Sequence, residues 1–262
     1  MEPKISVITV TFNAEKTVEK TVRSVIGQTY PALEYIVVDG ASKDGTMALL
    51  EGFRDRISVL VSEPDKGIYD AMNKGIGLAA GEWIIFMNAG DGFIDDEVLK
   101  DVAAFIDSHP EADAVYGGYE QVFEYGTYPV MPSNVNLERK MSVSHQAIFV
   151  KTELLRQHPF NTAFRFAADF EQLSSIYLDG RNFVGMDRLI ARVEKREGTT
   201  FENEIASAEE MYSLLSSRGI DIAAERKKML RHKKMVRLFK QCIPGFLSAP
   251  VLRLIAKYYK AL

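Results

Sequence analysis

A chain of 262 residues is long enough for one large α/β domain or for a domain with an appendage. Its 47% apolar and 26% charged residues are the balance of an ordinary soluble globular protein and exclude a low-complexity chain. A single cysteine, Cys242, excludes an internal disulfide framework and a cysteine-based metal site, and no apolar run reaches the roughly eighteen residues of a membrane-spanning helix.

The net charge of −4 conceals an uneven distribution. Eleven of the 32 Lys/Arg and none of the 36 Asp/Glu fall between Arg226 and Leu262, so the other 225 residues hold 21 basic and 36 acidic groups. Such an acidic body does not suit nucleic acid, and no nucleic-acid partner is expected. Residues 1–12 lack the basic start and apolar run of a signal peptide, and strand pattern begins at Ile5.

Ile5 to Val10 is the first expected strand. Asn13 can cap a helix from Ala14 to about Gln28, with Val18, Val22, Val25 and Ile26 on its buried face. Tyr35 to Val38 is the second strand and ends at Asp39-Gly40; Asp44 can cap a helix through Phe53. Ser58 to Val61 is the third strand. A polar loop from Ser62 to Gly67 leads into a helix from Ile68 to Ala80, with Gly81 where a C-terminal cap belongs. Trp83 to Met87 is a continuous apolar run, the pattern of a strand buried on both faces. This alternation predicts an α/β fold with a mostly parallel sheet and crossover helices.

After Asp91 the pattern changes. Asp95-Asp96 start a helix through about Ser108. Ala114 to Tyr116, Gln121 to Tyr128 and Gln146 to Val150 read as strands, and 129–141 as a loop. A helix from Ala168 to Leu178, a strand from Asn182 to Met186 and a helix from Ile205 to Ser217 complete the body.

In open α/β sheets ligands bind beyond the carboxyl ends of the strands, so the polar residues there carry the functional interest. Thr9-Val10-Thr11-Phe12-Asn13 is either a capping turn or a set of backbone N–H groups facing a nucleotide; it is not a dinucleotide fingerprint. Asp39 ends a buried strand, where a carboxylate can accept the imino N–H of a pyrimidine or simply serve the turn. Asp91, in Asn88-Ala89-Gly90-Asp91, either binds a cation or caps a turn. His145 and Asp169, taken singly, read as structural or as catalytic.

Together these stretches resemble the nucleotide-sugar glycosyltransferases of family 2, which have the GT-A fold. The resemblance is carried by Ile5 to Asn13, Ser24 to Pro31, Glu34 to Thr46, Glu63 to Gly75, Met87 to Asp91, His145-Gln146 and Ala168-Asp169. It is most marked for the bacterial branch that builds exopolysaccharide, capsule and lipopolysaccharide. It implies an inverting transfer of sugar from a nucleoside-diphosphate donor, with uracil the expected base, to a glycan or lipid-linked acceptor. By the same resemblance Thr11, Asn13 and Asp39 hold the nucleoside, and Asp65, Lys66, Gly67, Tyr69 and Asn88 line the donor. Asp70 and Lys74 are lesser candidates. Asp91 ligates Mg²⁺ or Mn²⁺ on the diphosphate with His145 close by, and Asp169 is the general base. The sequence departs from the common Asp-x-Asp-Asp form of the metal motif at Asn88 and Gly90, so only Asp91 carries full charge there.

The expected organisation is a GT-A domain over 1–222, with a nucleotide-sugar-binding half (1–95) and an acceptor half (96–222), followed by a basic amphipathic helical tail over 223–262. Two rivals are a nucleotidyltransferase and a non-catalytic nucleotide-binding relative. The first lacks a Gly-rich basic loop after the first strand; the second is allowed by the thinned acidic motif. The tail interleaves Arg253, Lys257 and Lys260 with Leu252, Ile255, Tyr258 and Tyr259, a pattern suited to a membrane interface. Each basic residue near an anionic leaflet adds about 1 kcal/mol at best. That places the protein in the cytoplasm, peripheral on the inner face of the membrane. Alternatively the apolar face packs on the body or on a second copy, giving a homodimer. A chain ending at Ala224 is expected to stay folded and to lose co-sedimentation with anionic liposomes; equal co-sedimentation of both chains counts against membrane binding.

Overall fold

A computed structural model of the chain describes residues 4–123, 126–131, 135–194 and 199–231, with only the backbone for 199–205. Among the described residues nine strands form one sheet. Its first half is built from β1 (Ile5–Thr11), β2 (Leu33–Asp39), β3 (Val59–Ser62) and β4 (Trp83–Phe86) in the order β3-β2-β1-β4, all parallel. All seven residues of β1 and all four of β4 are buried, as expected of strands covered on both faces. The covering helices are α1 (Val18–Ile26), α2 (Thr46–Glu51) and α3 (Ile68–Leu78). Val18, Val22 and Val25 join one apolar core, whereas Ala71, Met72 and Ile76 join the core on the other face.

The second half contains β5 (Gly92–Phe93), α4 (Val98–Ser108), β6 (Ala114–Phe123), β7 (Gly126–Val130), β8 (Ile148–Lys151), α5 (Thr152–Gln157), α6 (Ala168–Leu178), β9 (Phe183–Glu194) and α7 (Thr199–Ser217). Here the sheet turns mixed. β8 runs antiparallel to both β4 and β6, and β9 runs parallel to β6 and antiparallel to β5. A short stretch of 3-10 helix, His145–Ala147, leads into β8.

Several local expectations change. Asn13 does not cap α1: its φ of +48° is left-handed, and its Oδ1 accepts from the Lys43 N–H at 2.8 Å, tying two loops. α1 starts later, with Thr17 before it. Gly81 is not the cap of α3, which ends at Leu78; a Cβ at Gly81 would press on the Ser6 backbone N–H at 2.7 Å and the Lys4 carbonyl at 2.8 Å. The expected strand from Gln121 to Tyr128 is divided between β6, which runs unbroken from Ala114 to Phe123, and the antiparallel β7, which takes Pro129 and Val130 from the expected loop; β9 is longer than the sequence pattern suggested because it pairs with both β6 and β5. β5 and α5 carry too few residues to show a period. The N-cap of α2 is Gly45, not Asp44, although Asp44 Oδ1 accepts from the Thr46 N–H at 3.1 Å from one residue further out. Of the basic tail, 232–262 lie outside the described residues; the chain is helical at 223–231, where Arg226 Nη2 donates to Glu209 at 2.5 Å.

Glu34 locks the start of the sheet. Its carboxylate accepts from Ser6 Oγ, Lys4 Nζ and the N–H groups of Ala80 and Gly81, so β1, β2 and the turn before β4 share one anion. Burial works to raise its pKa, but these donors outweigh it and hold the carboxyl below its usual range. A carboxyl so lowered contributes stability that is present above its unfolded pKa and is lost as pH falls through its folded pKa. Wild type is therefore expected to lose thermal stability below its unfolded carboxyl range more steeply than Glu34→Gln; identical pH profiles would refute this.

Candidate active site

The strand order reverses at β1, with β2 on one side and β4 on the other, which makes the carboxyl ends of β1 and β4 the switch point of the sheet. A cleft of about 370 Å³ opens there, lined by Thr11, Phe12, Asp65, Gly67, Ile68 and Asn88 among others. Two buried oxygens, Thr11 Oγ1 and Asn88 Oδ1, have no hydrogen-bond partner among the described residues. Unmatched buried oxygens are costly unless something binds them, and both belong to residues of the cleft.

Asp39 is fully buried at the end of β2. Its oxygens accept from Ser42 Oγ at 2.5 Å, Ser42 N–H at 2.9 Å and Ser62 Oγ at 2.6 Å, three donors on a carboxylate with roughly four acceptor sites. Asp65 lies over Gly40, where any Cβ would collide with its carboxylate, and accepts from the Gly67 N–H at 2.8 Å. Gly67 has φ +122°, which lets the loop turn into α3. Asp70 and Lys74 brace this loop from the first turns of α3: Asp70 accepts from the Lys66 N–H at 3.0 Å, and Lys74 donates to the Pro64 carbonyl and pairs with Glu63, both at 2.8 Å. Lys66 itself is exposed and, with Tyr69, lines a second cavity of about 330 Å³ on the other side of the loop, closed by 162–166.

Tyr69 does not line the cleft beside Thr11. Its ring stacks on Phe160 with centroids 5.3 Å apart, and its hydroxyl donates to Asp169 Oδ1 at 3.3 Å. Burial, then the Asp169 charge, push the phenol pKa up, so Tyr69 stays a proton-bearing donor. Asp169 Oδ2 lies 3.3 Å from His145 Nδ1, and His145 Nε2 lies 3.0 Å from Asn88 Nδ2. An amide nitrogen can only donate, so Nε2 accepts and the proton sits on Nδ1, directed at Asp169. The structure thus joins Asn88, His145, Asp169 and Tyr69 in one relay from the cleft to the start of α6. The register that sets Ile84 opposite Val150 explains it: residues following β4 meet residues preceding an antiparallel β8.

Asp91 is 7% exposed, and Gln146 Nε2 donates to its Oδ2 at 2.9 Å while the Glu194 N–H donates to its Oδ1 at 3.1 Å. Asp91 and His145 therefore have different described partners. Gly90 has φ +107°, a conformation that L side chains rarely adopt, which is a physical reason for glycine where an acid is common. The donor set still offers a hard cation oxygen ligands, with the unmatched Asn88 Oδ1 foremost. Among the described residues no group of three His, Cys, Asp or Glu converges.

Residues 6–171 match the family model described as glycosyl transferase family 2. This chain belongs to that family. A PGL/p-HBAD biosynthesis glycosyltransferase of Mycobacterium bovis is 33% identical over 176 residues, covering 64% of this chain and 68% of that protein. Poly(ribitol-phosphate) beta-N-acetylglucosaminyltransferase TarS of Staphylococcus aureus is 29% identical over 234 residues, 84% of this chain and 40% of that one. A crystal structure of TarS 1–349 in complex with UDP-GlcNAc superposes with TM-score 0.62 at 27% identity, over 74% of this chain and 59% of that chain. The chain thus spans under two thirds of that solved structure, and the shared architecture is the GT-A fold.

Within this family 2 domain, two features had escaped the sequence reading. Phe12 is 62% exposed at the cleft mouth, although an aromatic residue next to a buried strand reads as core. Gln146 holds Asp91, and its only signal was adjacency to His145. Asp91→Ala would strand the Gln146 amide and the Glu194 N–H, and each unmatched buried donor costs about 1–3 kcal/mol. Denaturant unfolding is expected to show a loss in that range; wild-type stability would remove Asp91 as a structural tie.

Proposed function

We propose that this chain is an inverting glycosyltransferase that moves a sugar from a UDP-sugar to a hydroxyl of a glycan or lipid-linked acceptor in bacterial surface polysaccharide assembly. The observation that carries the reading is the carboxylate of Asp169, reached by a tyrosine hydroxyl and a histidine N–H and linked through His145 to Asn88, which lines the cleft at the carboxyl ends of β1 and β4.

In this reading the nucleoside enters the cleft, where Phe12 offers an exposed ring to the base and Asp39, Thr11 and the Asn13 loop hold its polar edge. Asp65, Lys66 and Gly67 wall the sugar diphosphate. The acceptor oxygen attacks the anomeric carbon on the face opposite the diphosphate. The new C–O bond forms as the bond to the diphosphate oxygen breaks, and the acceptor proton passes to Asp169. UDP departs, and one displacement inverts the anomeric centre. His145 and Tyr69 orient the Asp169 carboxylate. A divalent cation, Mg²⁺ or Mn²⁺, would be held by Asn88 and Asp91 and, when bound, supplies positive charge to the leaving diphosphate. A solved neighbour, a mannosyltransferase of Pyrobaculum calidifontis, is described with GDP-Man and Mn²⁺; at 22% identity and TM-score 0.59 its likeness shows the fold alone.

Among the described residues no helix is long and apolar enough to cross a membrane. We place the protein on the cytoplasmic face, with the basic tail at the lipid surface where lipid-linked acceptors reside. In a panel of UDP-sugars scored by UDP release, Asp169→Asn is expected to abolish turnover of the accepted donor while UDP titration calorimetry is unchanged. Undiminished release would remove Asp169 from the mechanism.

A further inference from the structure

α6 begins at Ala168, and Ala167 before it has no side chain able to cap the helix. The turn that leads into α6 is held from far along the chain. Glu210, on α7, places Oε2 at 2.8 Å from the Phe166 N–H, 3.1 Å from the Ala167 N–H and 3.2 Å from the Arg165 N–H, with Oε1 3.0 Å from the last. Three successive backbone donors converging on one anion form an oriented nest, filled here by the protein's own carboxylate. Asp169 follows two residues after the last of these donors.

α7 and the residues just after it grip α6. Phe170 packs with Tyr212, Leu215 and Ile222, and Arg218 donates to Ser174 Oγ at 2.6 Å and to Ser175 Oγ at 3.0 Å. Glu210 sits at the end of this grip nearest the active site. The turn it holds also closes the 330 Å³ cavity that Lys66 and Tyr69 line. The contacts of Asp169 to Tyr69 and His145 are 3.3 Å each, at the long end for hydrogen bonds, so a small shift of the turn breaks them.

We infer that Glu210 is a positioning residue for Asp169: it holds the turn that leads into α6 and so sets where the base stands. The inference rests on the reading of Asp169 as the base. The family match ends at residue 171, so the group that aims the base lies on a helix beyond it.

The test uses the full chain as wild type, Glu210→Ala, Glu210→Gln and Asp169→Asn. Three quantities are measured: kcat and KM for UDP release from the UDP-sugar that the panel selects, UDP affinity by calorimetry, and amide hydrogen exchange over 165–170. Glu210→Ala is expected to lower kcat about ten- to a hundredfold, the scale of a small misplacement of a reacting group. KM and UDP affinity should hold, and the amides of Arg165, Phe166 and Ala167 should exchange faster. Glu210→Gln keeps an acceptor oxygen, so it should recover most of the loss and leave exchange near wild type. The inference is overturned if kcat survives in Glu210→Ala, if kcat and UDP affinity fall together, or if Glu210→Gln is no better than alanine. Full activity in Asp169→Asn overturns it through its premise; faster exchange in Glu210→Ala would then still report the hold on the turn, so the two failures are distinguishable.

Discussion

Between β4 and β8 the direction of the sheet reverses, and the site depends on that reversal. A parallel strand beside β4 would bring its own carboxyl end to the cleft. The antiparallel β8 brings instead the residues that precede it, so His145 and Gln146 arrive at the level of Asn88 and Asp91. One backbone pairing therefore supplies both the histidine that meets Asp169 and the amide that meets the buried Asp91 carboxylate. β4 is only four residues long and fully buried, so any slip in its register would turn apolar side chains out of both cores.

The molecule handles its buried acids in one way. Glu34, Asp39 and Asp91 each collect hydrogen bonds from neutral side-chain or backbone donors, Glu34 adds a lysine, and the half-buried Glu210 collects backbone donors in the same way. Neutral donors hold a carboxylate in place while leaving its negative charge uncancelled. In an acidic body the lining of the cleft holds no lysine or arginine among the described residues.

The second half of the fold is held together by long-range side-chain contacts. α6 carries Asp169, yet the turn that leads into it is held from α7 and its Phe170 face is covered by the same helix. Residues 199–231 thus form part of the structure around the site. They do not form a separable appendage, although the family match stops before them.

The sequence by itself determined the first half of the fold. Continuous apolar runs in β1 and β4 and the 3.6-residue spacing in α1 and α3 are local signals, and burial follows them directly. It also singled out Asp39, Asp91 and Asp169, as acids beside apolar strands or at a helix start, whereas Asp65 stood out only through the resemblance to family 2. The tertiary structure alone decided the partners. Gln146 is 55 residues from Asp91, Glu194 is 103 residues from it, and Tyr69 is 100 residues from Asp169. Hydrogen bonds across such separations leave no period in the sequence, because strand order and register bring the two ends together. For the same reason nothing in the sequence marks Glu210, which the fold sets against the turn that leads to Asp169.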